Sequence, residues 1–234
     1  MRREPYDLDS IVHVVKRGTR GSPIVKDNND RWRFLLMLRH FNDTFSSEDW
    51  FRDLQNEKIA HTLNRPSHWP KQQKLVHVLC FCLLDNHFHL LLKEITEGGI
   101  SKFMQRLGGG MSLYFNSKYH ERGSIFQGAY HSKTVDEDTY LQYVSVYIQV
   151  KNAFELYREN NMDFNSMYEW ASHYPYCSLG NYAGKIESPI INKNILHDVF
   201  SPKDYKDFAR DFVISKTNSM SQESTDIWSK IELE

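Results

Sequence analysis

Leu75-Val76-His77-Val78-Leu79-Cys80-Phe81-Cys82-Leu83-Leu84, then Asp85-Asn86, then His87-Phe88-His89-Leu90-Leu91-Leu92-Lys93, is the stretch that decides how this chain folds. Two apolar runs joined by two turn residues predict a β-hairpin. Both runs are apolar enough to lie centrally in a sheet with at least one covered face. In the returning strand His87 and His89 stand at i and i+2, so they point to one side while Phe88 points to the other. Two imidazoles aimed into one space have the chemistry of a metal site lacking a third ligand. The same spacing also describes two ordinary half-buried histidines, and the sequence downstream bears on the choice.

Upstream, Ile11 to Gly18 reads as a strand and Thr19 to Asp27 as a loop. Asn28 or Asn29 caps a predicted helix through about Phe45, with Trp32, Leu35, Leu36, Leu38 and Phe41 near helical spacing. Residues 48–63 form a weaker helix or an insertion, and Asn64 to Pro70 a proline-bounded turn. Downstream, residues 98–119 predict a helix interrupted by Gly108-Gly109-Gly110. Three glycines cost a helix interior roughly 2–3 kcal/mol against alanine. They mark a bend, a break, or the close approach of another backbone. Arg122 to Tyr130 reads as a loop or short strand, and Asp136 caps a helix to about Tyr157. Trp170 to Tyr182 is aromatic and turn-rich, Pro202 to Ile214 a short helix, and the Ser/Thr-rich end from Ser215 a mobile tail.

The 234 residues are 40% hydrophobic and 25% charged, which is ordinary for a globular protein and fits one domain with an extension. The net charge of −1 excludes a generally basic nucleic-acid glue. From Arg65 to Lys133, however, nine Lys/Arg stand against four Asp/Glu. A basic middle and an acidic end fit a confined anionic ligand. Aromatic content is high, with 13 Tyr and 14 Phe, and such rings serve as core or stack on unpaired bases. Three cysteines without framework spacing argue against a disulfide scaffold. With no apolar signal core and no apolar run of membrane-spanning length, the expectation is a reducing, cytoplasmic setting and no membrane.

Tyr140, Tyr143 and Tyr147 share one stripe of the helix after Asp136. Amphipathic packing accounts for the first two. Tyr147 differs if its helix lies against the strand of His87 and His89, because a tyrosine hydroxyl beside a metal-bound phosphate is a nucleophile. The order now matters: a strand ending Arg17-Gly18, a helix, Asn86-His87-Phe88-His89-Leu90-Leu91-Leu92, a helix, Gly123-Ser124-Ile125-Phe126-Gln127-Gly128-Ala129-Tyr130, Tyr140-Leu141 with Tyr147-Ile148, then Tyr174-Pro175-Tyr176-Cys177-Ser178-Leu179. From about Ser10 to Tyr182 this resembles the single-tyrosine HUH transposases, and among them the REP-associated tyrosine transposases.

The resemblance implies an α+β fold, a ferredoxin-like sandwich whose central antiparallel sheet carries the HUH motif, with helices on one face. Residues 10–182 would form that unit and 183–234 a C-terminal extension, partly helical or disordered. It implies His87 and His89 as metal ligands, Tyr147 as the nucleophile and Mg or Mn as cofactor. The product would be a 5′-phosphotyrosine on single-stranded DNA next to a hairpin. Where the family reads Tyr-Ile-x-x-Asn-Pro, this chain reads Tyr147-Ile148-Gln149-Val150-Lys151-Asn152. Lysine does not ligate a cation unless deprotonated. Asn152, Gln149 or solvent would then assist the metal, or Lys151 would touch the scissile phosphate. The family's Arg of Gly-Arg-Tyr is Ala129 here, with His131 and Lys133 as substitutes. Arg17, Arg20, Lys102, Arg106 and Lys133 are expected phosphate contacts, and Arg122 and Gln127 would shape the groove; solvated surface charge and an ordinary turn explain them equally well. A non-catalytic hairpin-binding protein and a zinc hydrolase independent of Tyr147 are the competing readings. A monomer is expected over a homodimer.

Overall fold

In the computed structural model, residues 6–159 and 163–217 are described. The chain runs β1 (Ile11–Arg17), α1 (Asn28–His40), α2 (Trp50–Asn56), β2 (Val76–Leu83), β3 (His87–Glu94), α3 (Gly99–Tyr119) and β4 (His131–Val135). The strands form one antiparallel sheet in the order β2-β3-β1-β4, which is the ferredoxin-like order for this alternation of strands and helices. The hairpin therefore forms as read, and its second strand is central. β4, a short polar edge strand, was not legible in the sequence.

One sheet face carries Phe88 and Leu90 and is covered by α1 and α3. Phe34 of α1 meets Phe88 at 5.2 Å and Phe81 at 6.4 Å between ring centroids. Burying such a ring contributes about 2–3 kcal/mol. The cap of α1 lies one residue before the first expected position, because Asp27 forms a reciprocal capping box with Asp30. It ends at His40, short of Phe45. The glycine run breaks nothing: α3 is continuous, and two of its glycines serve close approach. A methyl on Gly110 would run into the Phe41 ring, and one on Gly108 would lie 2.9 Å from Lys16 Cε.

The opposite face is covered as well, which corrects the expectation of helices on one face only. Asp138–Val146 (α4) runs into a π-turn at Tyr147–Lys151 and a last turn at Asn152–Phe154 (α5). This continuous segment lies on the sheet, backed by Phe164–His173 (α6) and Leu179–Tyr182 (α7). Tyr176 O accepts from Leu83 N and Ser178 N donates to Phe81 O, so the free edge of β2 is occupied rather than exposed. Beyond residue 182, Asn194–Val199 (α8) and Pro202–Thr217 (α9) pack behind α4, where Tyr143 meets Phe208 at 5.2 Å. The expected tail from Ser215 starts inside α9, and its remainder, 218–234, lies outside the described residues.

Candidate active site

The sheet register builds the site. Arg17 lies opposite His87, Val15 opposite His89 and His13 opposite Leu91, so Arg17, His13, His87 and His89 share the face that the π-turn segment covers. His87 and His89 meet edge to face at 5.0 Å. The Tyr147 ring stands edge-on to His89 at 5.5 Å and to His13 at 6.0 Å. The fold thus brings together strand histidines and a helix tyrosine that lie far apart in the chain. Tyr147 and His89 are wholly buried, and His87 is 4% exposed.

Charge and hydrogen bonding set the state of the rings. Burial, then the neighbouring His13, His87, Lys151 and Arg17, hold the His89 pKa well below the ordinary histidine value. Burial and the Lys133 charge lower His13 to about 3. Both rings are therefore neutral at physiological pH, which is the metal-binding form of imidazole. Nδ1 of His87 lies 2.6 Å from Asn86 Oδ1; a proton on Nδ1 shared with that carbonyl puts the ring's lone pair on Nε2. The donor chemistry of the pair fits two positions of a divalent ion. Among the described residues no group of three His, Cys, Asp or Glu forms a ligand cluster. The remaining positions would fall to oxygens of an amide, a phosphate or water.

The π-turn changes the reading of Lys151. In an α-helix the fourth residue after Tyr147 sits one turn on; here the backbone N–H of Asn152 reaches back to Tyr147 O, a five-residue turn. Across this turn the two side chains differ in burial, Lys151 part-exposed and Asn152 turned to the interior. Asn152 is wholly buried, and both atoms of its amide lack a hydrogen-bond partner. An orphaned buried amide costs about 1–3 kcal/mol, and such a group calls for a ligand or an ordered water. Lys151 pairs with Glu155 and holds its ammonium 5.0 Å from the centre of the Tyr147 ring. Gln149 does not share this role. Its amide donates to Tyr205 Oη at 2.8 Å and accepts from Ser178 Oγ at 2.8 Å, tying α9 to the core.

The expected DNA contacts divide. Arg17 and Lys133 lie on the histidine face, Lys133 opposite His13. Arg20, Arg122, Gln127 and His131 are exposed around the same end of the sheet, where Gln127 N donates to Arg17 O at 3.0 Å. Lys102 and Arg106 are on α3, across the sheet. Arg106 is already engaged there: its guanidinium donates to the carbonyls of Phe41, Asp43 and Phe45 just past the end of α1. His13 is the site residue that sequence reasoning missed; only the pairing of β1 with β3 brings it to His89.

Residues 52–151, which hold both HUH histidines and Tyr147, match the family model described as IS200-like transposase, and this bears out the resemblance read from the motifs. No curated protein matches. A solved structure of a REP-associated tyrosine transposase bound to a REP hairpin is similar at 11% identity and a TM-score of 0.43, over 81% of this chain and 88% of that one. No helix among the described residues is long and apolar enough to cross a membrane.

Proposed function

We propose, from the match of residues 52–151 to the IS200-like transposase family model, that this chain cuts and rejoins single-stranded DNA beside a hairpin through a covalent bond to Tyr147. The observation that carries the reading is the contact of the Tyr147 ring with His89. Tyr147 gives up its proton and its oxygen bonds to the scissile phosphorus. The bond from phosphorus to the 3′ oxygen breaks, and that oxygen takes a proton to leave as a 3′-hydroxyl. Attack of another 3′-hydroxyl on the phosphotyrosine reverses the step, so rejoining requires no nucleotide cofactor. His87 and His89, with Asn152, would hold a Mg or Mn ion, which when bound polarises the phosphoryl oxygens. Lys151, Arg17 and Lys133 supply positive charge for the phosphate, and Arg20, Arg122, Gln127 and His131 line the approach. Because Tyr147 meets histidines of its own chain, the reading is of a monomer acting in cis, with residues 10–182 as the catalytic unit and 183–217 as its backing.

A second reading, a hairpin-binding protein without chemistry, is favoured by one feature, the complete burial of Tyr147. One experiment separates the two. Purified protein is mixed with labelled hairpin-bearing single strands, with Mn²⁺ or with chelator, and run on a denaturing gel. The expected result is a metal-dependent covalent band that Tyr147→Phe abolishes. Hairpin binding with no band would establish the second reading, and cleavage that survives Tyr147→Phe would establish a hydrolase.

A further inference from the structure

We infer that His13 is a positioning residue, which fixes His89 in the one neutral form able to offer its outer nitrogen to a cation. The inference rests on the proposed role of His89. His13 is wholly buried on β1, its Nε2 lies 3.0 Å from His89 Nδ1, and the two rings stack at 5.3 Å with 21° between their planes. A hydrogen bond between two neutral imidazoles contains one proton. If His13 holds that proton on Nε2, then His89 carries its own proton on Nε2 and has no lone pair there. If His89 holds it on Nδ1 and donates to His13, the His89 Nε2 lone pair is available and His13 is protonated on Nδ1. His87 has a counterpart device in Asn86, whose Oδ1 lies 2.6 Å from Nδ1 and can only accept there. Both strand histidines are thus held through Nδ1 by a neighbour, Asn86 from the turn and His13 from the adjacent strand. Partners of this kind behind a ligating histidine set its tautomer and ring angle, and their loss commonly lowers metal affinity about 10–100-fold. The fixed stacking also aligns His13 with the edge of Tyr147, so one residue braces both halves of the site.

The test is the tautomer itself. The full chain, labelled with ¹⁵N-histidine, is examined by long-range proton–nitrogen NMR, as wild type, His13→Leu and His13→Gln. Wild-type His89 is expected protonated on Nδ1. His13→Leu, which fills the space without an acceptor, should shift His89 toward the Nε2-protonated form. His13→Gln, whose amide oxygen accepts, should restore the wild-type pattern. Binding of Mn²⁺, followed by loss of its free-ion EPR signal, should weaken about 10–100-fold in His13→Leu and recover in His13→Gln. Wild-type His89 protonated on Nε2, or a tautomer indifferent to His13→Leu, overturns the inference. These readouts need neither DNA nor Tyr147, so a chain that forms no covalent adduct would sink the proposed function and leave the role of His13 to be decided by the spectrum. Should His13→Leu not fold, the wild-type spectrum and His13→Gln still decide.

Discussion

Asn152 is the residue at which stability and activity should separate. Its buried amide lacks partners, so Asn152→Leu, with the same branched outline and number of side-chain heavy atoms, is expected to raise stability by about 1 kcal/mol. Adduct formation should fall at least about tenfold in the same variant. Urea denaturation and the gel assay check the two halves; a variant both less stable and fully active would show that Asn152 has a packing role alone. The meeting of His87, His89 and Tyr147 was legible because their order along the chain carries the information. The burial of Asn152 was not legible, since the turn that turns it inward leaves no mark in composition. Arg106 and Gln149 have partners inside the fold that the sequence did not disclose. A sequence displays donors and acceptors but not which of them are already spent on carbonyls and hydroxyls inside the fold.

At the scale of elements, the π-turn makes a deletion informative. Removing Lys151 places Asn152 four residues after Tyr147 and allows an ordinary α-helix to continue. The shortened chain is expected to fold and to form adduct more slowly, for want of the Lys151 charge, whereas inserting an alanine after Lys151 should rotate the amide away and abolish it. A deletion variant that folds by circular dichroism yet makes no adduct would remove the argument from the turn. The glycines of α3 separate in the same manner. Gly110→Ala should cost about 1–3 kcal/mol by collision with Phe41, while Gly109→Ala, where a methyl meets nothing within 4 Å, should gain up to about 1 kcal/mol of helix propensity. Melting temperatures of the two variants should move in opposite directions. The hairpin and α3 were readable because alternation and helical spacing report burial directly. β4 was not, because His131-Ser132-Lys133-Thr134 at a sheet edge has no apolar pattern, and its strand state comes from pairing with β1.

Over the whole molecule, the buried histidines predict acid sensitivity. His40 is buried beside Trp50 and Trp69, and burial, reinforced by Arg39 and Arg65, lowers its pKa to about 3. Above pH 6.5 the folded and unfolded chains are both neutral there. As pH falls below 6.5 the unfolded chain binds a proton that the folded chain refuses, so stability drops until the pH nears 3. The slope is about 1.4 kcal/mol per pH unit for each such histidine. Replacing His40 with Phe should reduce the slope of urea midpoint against pH by up to one proton; an unchanged slope would contradict it. The second covered face was invisible in the sequence, since no local pattern tells α4 which side of a sheet it will meet. That covering has a consequence for the cell. With Tyr147 as the attacking group, DNA that merely drifts past would not be cut, because that side chain is wholly buried. The site must first be prised open, and only a strand that binds the opened form better than the shut one can do the prising. Discrimination between targets is then exercised before any bond is broken, with the rate of cutting proportional to the fraction of molecules a given DNA holds unlatched.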